Sequence, residues 1–218
     1  MIRLVIFDLD GTLLDTIGDL SAACDAVLAA RGLPRHSEEG YRRMIGNGIR
    51  RLVERALPES MRDETTVESV RRQFVEYYVD HIDIHTRPYD GIPELVRELS
   101  ARGVLLAVVS NKFQRGTEML IRRFFGDTEF VAVFGQREGV PLKPDPQSDM
   151  EILRMTGVDP SECVHVGDSQ VDMATARAAG VHSTGVSWGF RPREELVASG
   201  AEHIADSAAE VFDIIISN

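Results

Sequence analysis

The chain has 218 residues, of which 43% are hydrophobic and 27% are charged, and its formal net charge is -11. This length suits one domain, or one large domain with a smaller one, and it can bury a substantial core. The acidic balance argues against a protein that binds the phosphate backbone of nucleic acids through a basic surface. Two distant cysteines, Cys24 and Cys163, do not indicate a disulfide framework and fit a reducing compartment.

The first predicted element is a buried strand over residues 4–7, where apolar residues form a run too short for a helix. The strand ends on two acids, Asp8 and Asp10, which are followed by Gly11 and Thr12. Side chains alternate along a strand, so acids two residues apart can point the same way, and Gly11 permits a sharp exit. Two carboxylates therefore lie at the carboxyl end of this strand.

The next part of the chain shows helical periodicity and no strand pattern up to about residue 84. Apolar residues recur at helical spacing over residues 19–31, after Gly48, and over residues 67–79. We therefore expect a small helical domain over residues 16–84, inserted after the first strand. Two connecting segments would join it to the remainder of the chain and act as a hinge.

From Pro88 onward, predicted helices and strands alternate. This alternation is typical of right-handed βαβ units, and it predicts an α/β fold with a Rossmann-like parallel sheet formed by residues 1–15 and 85–218. The predicted strands are 104–110, 130–134, 163–167, 181–186 and 203–204, and the predicted helices are 92–101, 114–125, 147–156, 171–179, 193–198 and 208–215.

Polar residues follow the strands of this predicted sheet at four places. The clusters are Asp8 with Asp10, Ser110 with Asn111, Lys143 with Pro144, and Asp168 with Asp172. Each cluster alone is typical of a turn or a helix cap, whereas four at the carboxyl ends of one sheet predict a single site. Carboxylates that meet there would repel one another without a cation, so we expect Mg²⁺, with a phosphoryl group held by Ser110 and Lys143.

These ordered clusters resemble the four motifs of the haloacid dehalogenase-like superfamily, and the resemblance extends over essentially the whole chain. The helical insertion is similar to that superfamily's first type of cap. Softer similarities to its phosphoglycolate phosphatase branch are Asp15 with Thr16, the stretch from Arg42 to Gly48, and Trp188-Gly189-Phe190. The chain departs from that branch after Lys143-Pro144-Asp145-Pro146, where Gln147-Ser148-Asp149 replaces an apolar helix start.

The resemblance implies a role for each motif residue in a Mg²⁺-dependent phosphatase. Asp8 would be the nucleophile, forming an aspartyl-phosphate, and Asp10 the general acid and then the base. The remaining implied roles are Thr12 orienting Asp10; Ser110, Asn111 and Lys143 binding the phosphoryl group; Asp8, Asp168 and the main-chain carbonyl of Asp10 as metal ligands; and Asp172 supporting Lys143 or metal-bound water.

The helical insertion is expected to select the substrate by closing over the site. The turn Gly46-Asn47-Gly48 precedes a helix and could present main-chain donors to a small carboxylate, with Arg42 assisting. The alternative is that the two glycines only shape a turn and that Arg42 is a solvated charge.

The expected function is hydrolysis of a small phosphorylated metabolite, with 2-phosphoglycolate as the first candidate. A pyrophosphatase and a sugar-phosphate phosphatase or mutase stay open as alternatives, as does a non-catalytic phosphate-binding regulatory module, although Asp10 argues against the last. No apolar run approaches the roughly 20 residues of a membrane span, so we expect a cytoplasmic protein, monomeric or homodimeric, with neither nucleic acid nor membrane as partner.

Overall fold

A six-stranded parallel sheet is the centre of the fold in a computed structural model, which describes residues 1–217. The strands are β1 (Leu4–Phe7), β2 (Leu14–Asp15), β3 (Arg87–Pro88), β4 (Leu105–Phe113), β5 (Ala132–Gln136), β6 (Cys163–Gly167), β7 (His182–Val186) and β8 (His203–Ala205). The order in the sheet is β5-β4-β1-β6-β7-β8, and each neighbouring pair is parallel. β1 therefore lies inside the sheet, between β4 and β6.

Ten α-helices accompany these strands within residues 1–217. They are α1 (Ile17–Ala29), α2 (Glu38–Met44), α3 (Gly48–Ala56), α4 (Glu64–Asp80), α5 (Ile92–Ala101), α6 (Gln114–Phe125), α7 (Gln147–Thr156), α8 (Gln170–Ala179), α9 (Arg193–Ala198) and α10 (Ala208–Ser217). None of the helices in this described part is both long enough and apolar enough to cross a bilayer.

Side chains of β1 alternate between the two hydrophobic clusters that cover the faces of the sheet. Val5 and Phe7 pack in the cluster that includes apolar residues of α5, α6 and α10, whereas Leu4 and Ile6 pack in the cluster with α7 and α8. This alternation is the two-residue period of a strand buried on both faces. The predicted α/β class, a parallel sheet with helices on both faces, is confirmed.

The main difference from the predicted elements is the length of β4. It continues past the predicted end at Ser110, because its pairing with β5 resumes at Phe113 and Gln136 after a register shift that begins beyond Val109. Ser110, Asn111 and Lys112 consequently belong to the strand, where all three are buried. They occupy the irregular part of the strand between Val109 and Phe113, which both pair with β5.

Helices α1 to α4 lie between β2 and β3, the two short strands through which the chain enters and leaves this helical segment. β2 and β3 pair with each other in antiparallel orientation. The buried carboxylate of Asp19 accepts hydrogen bonds from the main-chain N–H groups of His85 and Thr86 and from the Thr86 hydroxyl. The two connections are therefore joined side by side, and the division at residues 16–84 stays a prediction.

Candidate active site

Lys143 connects two acids at the carboxyl end of the sheet. Its Nζ lies 2.9 Å from Oδ1 of Asp8 and 2.6 Å from Oδ1 of Asp172, and it donates to the main-chain oxygen of Val109 at 2.8 Å. The Lys143 side chain is only 4% exposed, so these charges interact with little screening by water. The structure thus brings together residues from the ends of β1 and β4, from the loop before α7, and from α8.

A third acid, Asp168, follows β6 and completes a buried cluster. Asp8, Asp168 and Asp172 each offer a carboxylate oxygen, and these oxygens lie within 4.8 Å of one another. We call Asp8, Asp168, Asp172 and Lys143 the floor of the site. Oxygen ligands at this spacing suit a hard divalent cation such as Mg²⁺. The donor set therefore fits a divalent metal.

Electrostatics within the floor distinguish the three acids. Burial raises the pKa of Asp8 to about 6, although Lys143 acts in the opposite direction. Burial and the charges of Asp172 and Asp8 raise the pKa of Asp168 well above its usual value. For Asp172, burial is outweighed by Lys143 and His165, which lower the pKa. The positive charge of Lys143 therefore does not offset the burial of Asp8 and Asp168, and a bound cation would supply the missing positive charge.

Glycines enclose the carboxylate of Asp168. Its Oδ2 accepts a hydrogen bond of 2.6 Å from the main-chain N–H of Phe190. A Cβ atom placed on Gly11 or on Gly189 would collide with this carboxylate, and Gly11 also has a φ of +90°. Both positions therefore require glycine, which accounts for the residue that follows Asp10 and for the Trp-Gly-Phe turn.

The Asp10 side chain lies apart from the acid cluster. Its Oδ1 accepts a hydrogen bond of 2.8 Å from the hydroxyl of Thr16, and both of its oxygens face Nζ of Lys112. The expected contact from Thr12 is not made, because the Thr12 hydroxyl is buried without a hydrogen-bond partner while Thr16, at the start of α1, reaches the carboxylate. Thr12 instead accepts a hydrogen bond through its main-chain oxygen, from Trp188 Nε1 at 3.1 Å.

Asn111 uses its amide to join three segments. The amide nitrogen donates to the main-chain oxygens of Gly46 and Lys143, at 3.0 and 3.1 Å. The amide oxygen accepts from the main-chain N–H of Lys143 at 2.8 Å. Asn111 therefore fixes the loop that carries Lys143, and its predicted contact with phosphate stays a prediction. Ser110, its neighbour in β4, faces the same cavity as Asp8 and Asp10.

Residues of the helical segment lie over the floor and line, together with it, a cavity of about 40 Å³. We call the covering residues the roof; they are Ile45, Gly46, Gly48, Ile49 and Leu52. Neither Arg42 nor Asn47 is among the lining residues: Arg42 pairs with Glu38, and the Asn47 side chain accepts a hydrogen bond from Arg55. The roof therefore presents apolar side chains and main-chain groups, and contact of Arg42 and Asn47 with substrate stays a prediction.

Arg191 joins the floor side of the site to the roof. Its guanidinium donates to the main-chain oxygens of Arg42 and Ile45, at 2.6 and 2.7 Å, and its side chain lines the cavity. The sequence analysis missed this residue, although it immediately follows the Trp-Gly-Phe turn. The carbonyl groups at the end of α2 are thereby satisfied by a cation, as helix ends require.

An open cleft of about 770 Å³ adjoins the cavity and shares Gly48 and Lys143 with it. Its lining includes Asn47 and four arginines, Arg50, Arg51, Arg55 and Arg62, against one acid, Glu54. Arg50 is paired with Glu64 and Arg51 with Glu54, whereas Arg55 and Arg62 donate to uncharged oxygens. The cleft therefore keeps a positive charge balance in a chain with a net charge of -11. Such a local field favours the approach of small anions.

A buried polar pair supports the floor from behind. His165 of β6 and Asp149 of α7 are both fully buried, and Nδ1 of the imidazole lies 2.7 Å from Oδ2 of Asp149. Nε2 of His165 lies 3.5 Å from Oδ1 of Asp172. Burial alone would lower the pKa of His165, but Asp149 raises it to about 9. Asp149, the acid that departs from the expected apolar helix start after Pro146, therefore pairs with His165 in the middle of the apolar strand β6.

The fold and the site together place the chain among α/β proteins with a Rossmann-like parallel sheet and a buried acid cluster at the carboxyl ends of its strands. The family model for haloacid dehalogenase-like hydrolase matches residues 5–186, and the chain belongs to this family. The predicted family and the predicted enzyme class, a hydrolase of the phosphatase type, are thereby confirmed.

Curated relatives and solved structures agree with this assignment. A phosphoglycolate phosphatase of Mesorhizobium japonicum is 37% identical over 87% of this chain and 85% of its own length. The N-acetylmuramic acid 6-phosphate phosphatase of Pseudomonas aeruginosa is 35% identical over 98% and 95%, respectively. A candidate phosphoglycolate phosphatase from Lactobacillus delbrueckii subsp. bulgaricus superposes with a TM-score of 0.91 at 33% identity, covering 98% of both chains. CbbY from Rhodobacter sphaeroides, solved in complex with phosphate, superposes with a TM-score of 0.80 at 26% identity, covering 97% of this chain and 96% of that chain.

Proposed function

We propose that this chain is a Mg²⁺-dependent phosphomonoester hydrolase that works through an aspartyl-phosphate on Asp8, with 2-phosphoglycolate as its substrate. The observation that supports this most strongly is the position of Lys143, whose Nζ lies 2.9 Å from Asp8 at the bottom of the cavity. A cation at this position holds a nucleophilic carboxylate and attracts the phosphoryl group toward it.

Mg²⁺ would be held by the side chains of Asp8 and Asp168 and by the main-chain carbonyl of Asp10. The bound ion supplies positive charge that offsets repulsion between these carboxylates and the phosphoryl oxygens. Asp172 is better suited to support than to direct ligation, since its oxygens already accept hydrogen bonds from Lys143 and Ser169.

In the first half of the proposed reaction, a carboxylate oxygen of Asp8 bonds to phosphorus while the bond from phosphorus to the leaving oxygen breaks. Asp10 gives its proton to that leaving oxygen, which therefore departs as a hydroxyl group rather than as an alkoxide. Lys143 and Ser110 hold the phosphoryl oxygens during this step.

In the second half, water attacks the phosphorus of the aspartyl-phosphate. Asp10, now a carboxylate, accepts a proton from this water, and the bond from phosphorus to Asp8 breaks. Inorganic phosphate leaves, and both acids return to their initial states. The roof excludes bulk water from the cavity and thereby limits attack to the water that Asp10 activates.

The roof offers main-chain donors to a small anionic substrate that is bound on the floor. α3 starts in the roof at Gly48, and no side chain caps it, because the Asn47 side chain makes no capping hydrogen bond. The free N–H groups of this helix start are suited to the carboxylate of 2-phosphoglycolate, a small phosphorylated metabolite.

A sugar phosphate is a second candidate, because the relative from Pseudomonas aeruginosa is named for N-acetylmuramic acid 6-phosphate and matches nearly the full length of both chains. This substrate also carries a carboxylate, but it is far larger than 2-phosphoglycolate. Its binding would require displacement of the roof, as expected for a helical domain over residues 16–84 that moves on its hinge.

A substrate panel tests the proposal. Purified enzyme with Mg²⁺ should give its highest kcat/KM on 2-phosphoglycolate, compared with N-acetylmuramic acid 6-phosphate, pyrophosphate, nucleoside monophosphates and hexose phosphates. Asp8→Asn should lose turnover by at least about 10⁴-fold. Rapid quenching during turnover, followed by peptide mass spectrometry, should place a phosphoryl group on Asp8.

Each contrary outcome identifies a different error. Highest kcat/KM on a sugar phosphate or on pyrophosphate would replace the substrate, whereas phosphate binding without turnover would indicate a regulatory module. Equal rates with and without a chelator would remove Mg²⁺ from the proposal. The cytoplasmic location stays part of this proposal and is checked by fractionation of cells that produce the protein.

A further inference from the structure

Lys112 is a buried cation that the proposed reaction does not use. Its side chain is 1% exposed, and its Nζ lies 3.1 and 3.3 Å from the two oxygens of Asp10 and 2.7 Å from the hydroxyl of Tyr78. An ammonium group has three N–H donors, and these three contacts can engage all of them. Lys112 therefore directs its charge at Asp10, at the edge of the cavity that both residues line.

Tyr78 belongs to α4 and approaches Lys112 from the helical segment. Nζ of Lys112 lies 4.5 Å from the centroid of the Tyr78 ring, so the ring attracts the ammonium while the Tyr78 hydroxyl accepts a hydrogen bond from it. Phe74 stacks on this ring at 5.5 Å, and Phe113 meets it edge-on at 6.2 Å. Burial raises the pKa of Tyr78 well above its usual value, so the phenol is neutral. Lys112 is thus held in place by a rigid aromatic cluster.

We propose that Lys112 and Tyr78 are positioning residues that fix the Asp10 carboxylate for proton transfer, and this inference rests on the acid–base role proposed for Asp10. Lys112 and Thr16 hold the carboxylate from two sides, which restricts its rotation. When Asp10 gives up its proton it becomes negative beside Asp8 and the phosphoryl group. The adjacent ammonium stabilises that new charge at the moment it forms.

Tyr78 makes this arrangement depend on the helical segment. Asp10 and Lys112 are carried by the sheet side of the molecule, whereas Tyr78 is carried by α4. Removing its hydroxyl deletes one of the contacts that orient Nζ and leaves the ring in place. The acid is therefore held most firmly when α4 is docked against β4.

A direct test of the contact uses the fact that Lys112 and Lys143 are the only lysines in the sequence. Protein labelled with ¹³C and ¹⁵N in lysine alone gives two side-chain signals by NMR. Asp10→Asn and Tyr78→Phe should each shift the Lys112 signal and leave the Lys143 signal nearly unchanged. Tyr41→Phe is the matched control, because Tyr41 is also buried and bonds Asp25 away from the cavity. Unchanged Lys112 signals in both variants would overturn the contact, whether or not the enzyme turns over.

A kinetic test separates positioning of an acid from general damage. An alkyl phosphate such as 2-phosphoglycolate needs a proton on its leaving oxygen, whereas 2,4-dinitrophenyl phosphate releases a stable anion. Lys112→Met should lower kcat/KM on the alkyl phosphate by about 10²–10³-fold and on the aryl phosphate by less than about 10-fold. Tyr78→Phe should show the same selectivity with a loss of about 3–10-fold. Equal losses on both substrates, or a change in KM alone, would overturn the inference and indicate structural damage or anion binding by Lys112.

The double variant connects Lys112 to Asp10. If Lys112 acts through Asp10, adding Lys112→Met to Asp10→Asn should change kcat/KM on the alkyl phosphate by less than about 3-fold. Full additivity of the two losses would overturn the inference. Failure of the proposed function itself gives a different result, namely parental turnover by Asp8→Asn on both phosphates. If Lys112→Met does not fold, Tyr78→Phe provides the same selectivity test.

Discussion

The floor and the roof of the cavity differ in the chemical groups that they present. The floor is made of side-chain charges that face one another, with Lys143 within 2.9 Å of Asp8 and within 2.6 Å of Asp172. The roof is made of glycine backbone and of three apolar side chains, Ile45, Ile49 and Leu52. Charge is suited to activating a phosphoryl group, whereas shape and backbone donors are suited to choosing what is attached to it. The reaction and its selectivity are thus assigned to separate surfaces.

Among changes that compare the floor with the roof, the largest expected effect comes from removing the positive charge of the floor. Lys143→Met leaves Asp8 and Asp172 without their shared cation, so we expect kcat to fall by at least about 10³-fold. Steady-state kinetics with saturating Mg²⁺ measure this. Arg137→Met, which breaks the distant pair with Glu151, is the control and should stay within about 2-fold of the parent. A folded Lys143→Met protein with a nearly parental kcat would contradict the role of the floor.

The next effect comes from separating the roof from the floor. Arg191→Met removes two hydrogen bonds to the main chain of the roof side, so we expect kcat/KM to fall by about 10–100-fold. Arg193→Met is a matched control, because Arg193 is two residues away and pairs with Asp206 on the exposed surface. Similar kinetics for both variants would show that the roof holds its position without Arg191.

A smaller effect should follow from adding one methyl group to the roof. In Gly48→Ala the new Cβ lies 3.3 Å from Leu142 and 3.4 Å from the main-chain oxygen of Asn111, at a φ of +80°. We expect KM to rise about 3–10-fold with little change in kcat, because the helix start shifts away from the substrate. Gly32→Ala, at a φ of +67° in open space, has the same backbone strain and should leave KM unchanged. Equal KM values for the two variants would indicate that Gly48 only shapes a turn.

The smallest effect concerns the pair of His165 and Asp149 behind the floor, and it is measured as a change in the free energy of unfolding. The pKa of His165 is raised to about 9 in the folded protein, against about 6.5 when unfolded. Its stabilisation is therefore fully present below pH 6.5 and is lost as the pH rises through 9. Asp149→Asn should lower the free energy of unfolding at pH 7 by about 1–3 kcal/mol and flatten its decline between pH 7 and 9.5.

Urea denaturation at several pH values measures this decline. His182→Gln removes an exposed pair with Glu202 and should leave the pH profile unchanged. If Asp149→Asn and the parent lose stability in parallel as the pH rises, the buried pair is not charged in the way its geometry indicates.

The sheet and the floor were predictable because both depend on short-range sequence signals. Apolar runs that end on acids, a Ser-Asn pair or a Gly-Asp pair identify strands and their carboxyl ends, and parallel strands bring those ends to one edge. Asp8, Lys143, Asp168 and Asp172 meet there within hydrogen-bonding or metal-ligating distances. Their catalytic roles stay predictions until they are measured.

The remaining contacts depend on long-range packing that a single sequence does not encode locally. Lys112 reaches Asp10, which lies more than 100 residues earlier, and Asn111 reaches the carbonyl of Gly46. Thr16 replaces Thr12 beside Asp10 because the chain turns back through β2 before α1 begins. Arg191 shows no signal of its own, since one arginine after a turn is ordinarily a solvated charge.

The placement of both lysines in the site has a practical consequence for chemical modification. Every other permanently cationic side chain in this sequence is an arginine, and both ammonium side chains are at most 4% exposed. Amine-directed acylation or reductive methylation of the native protein should therefore spare the outer surface and react chiefly at the α-amino group. Slow inactivation by such reagents would report how often the interior opens, and a phosphorylated ligand should delay it.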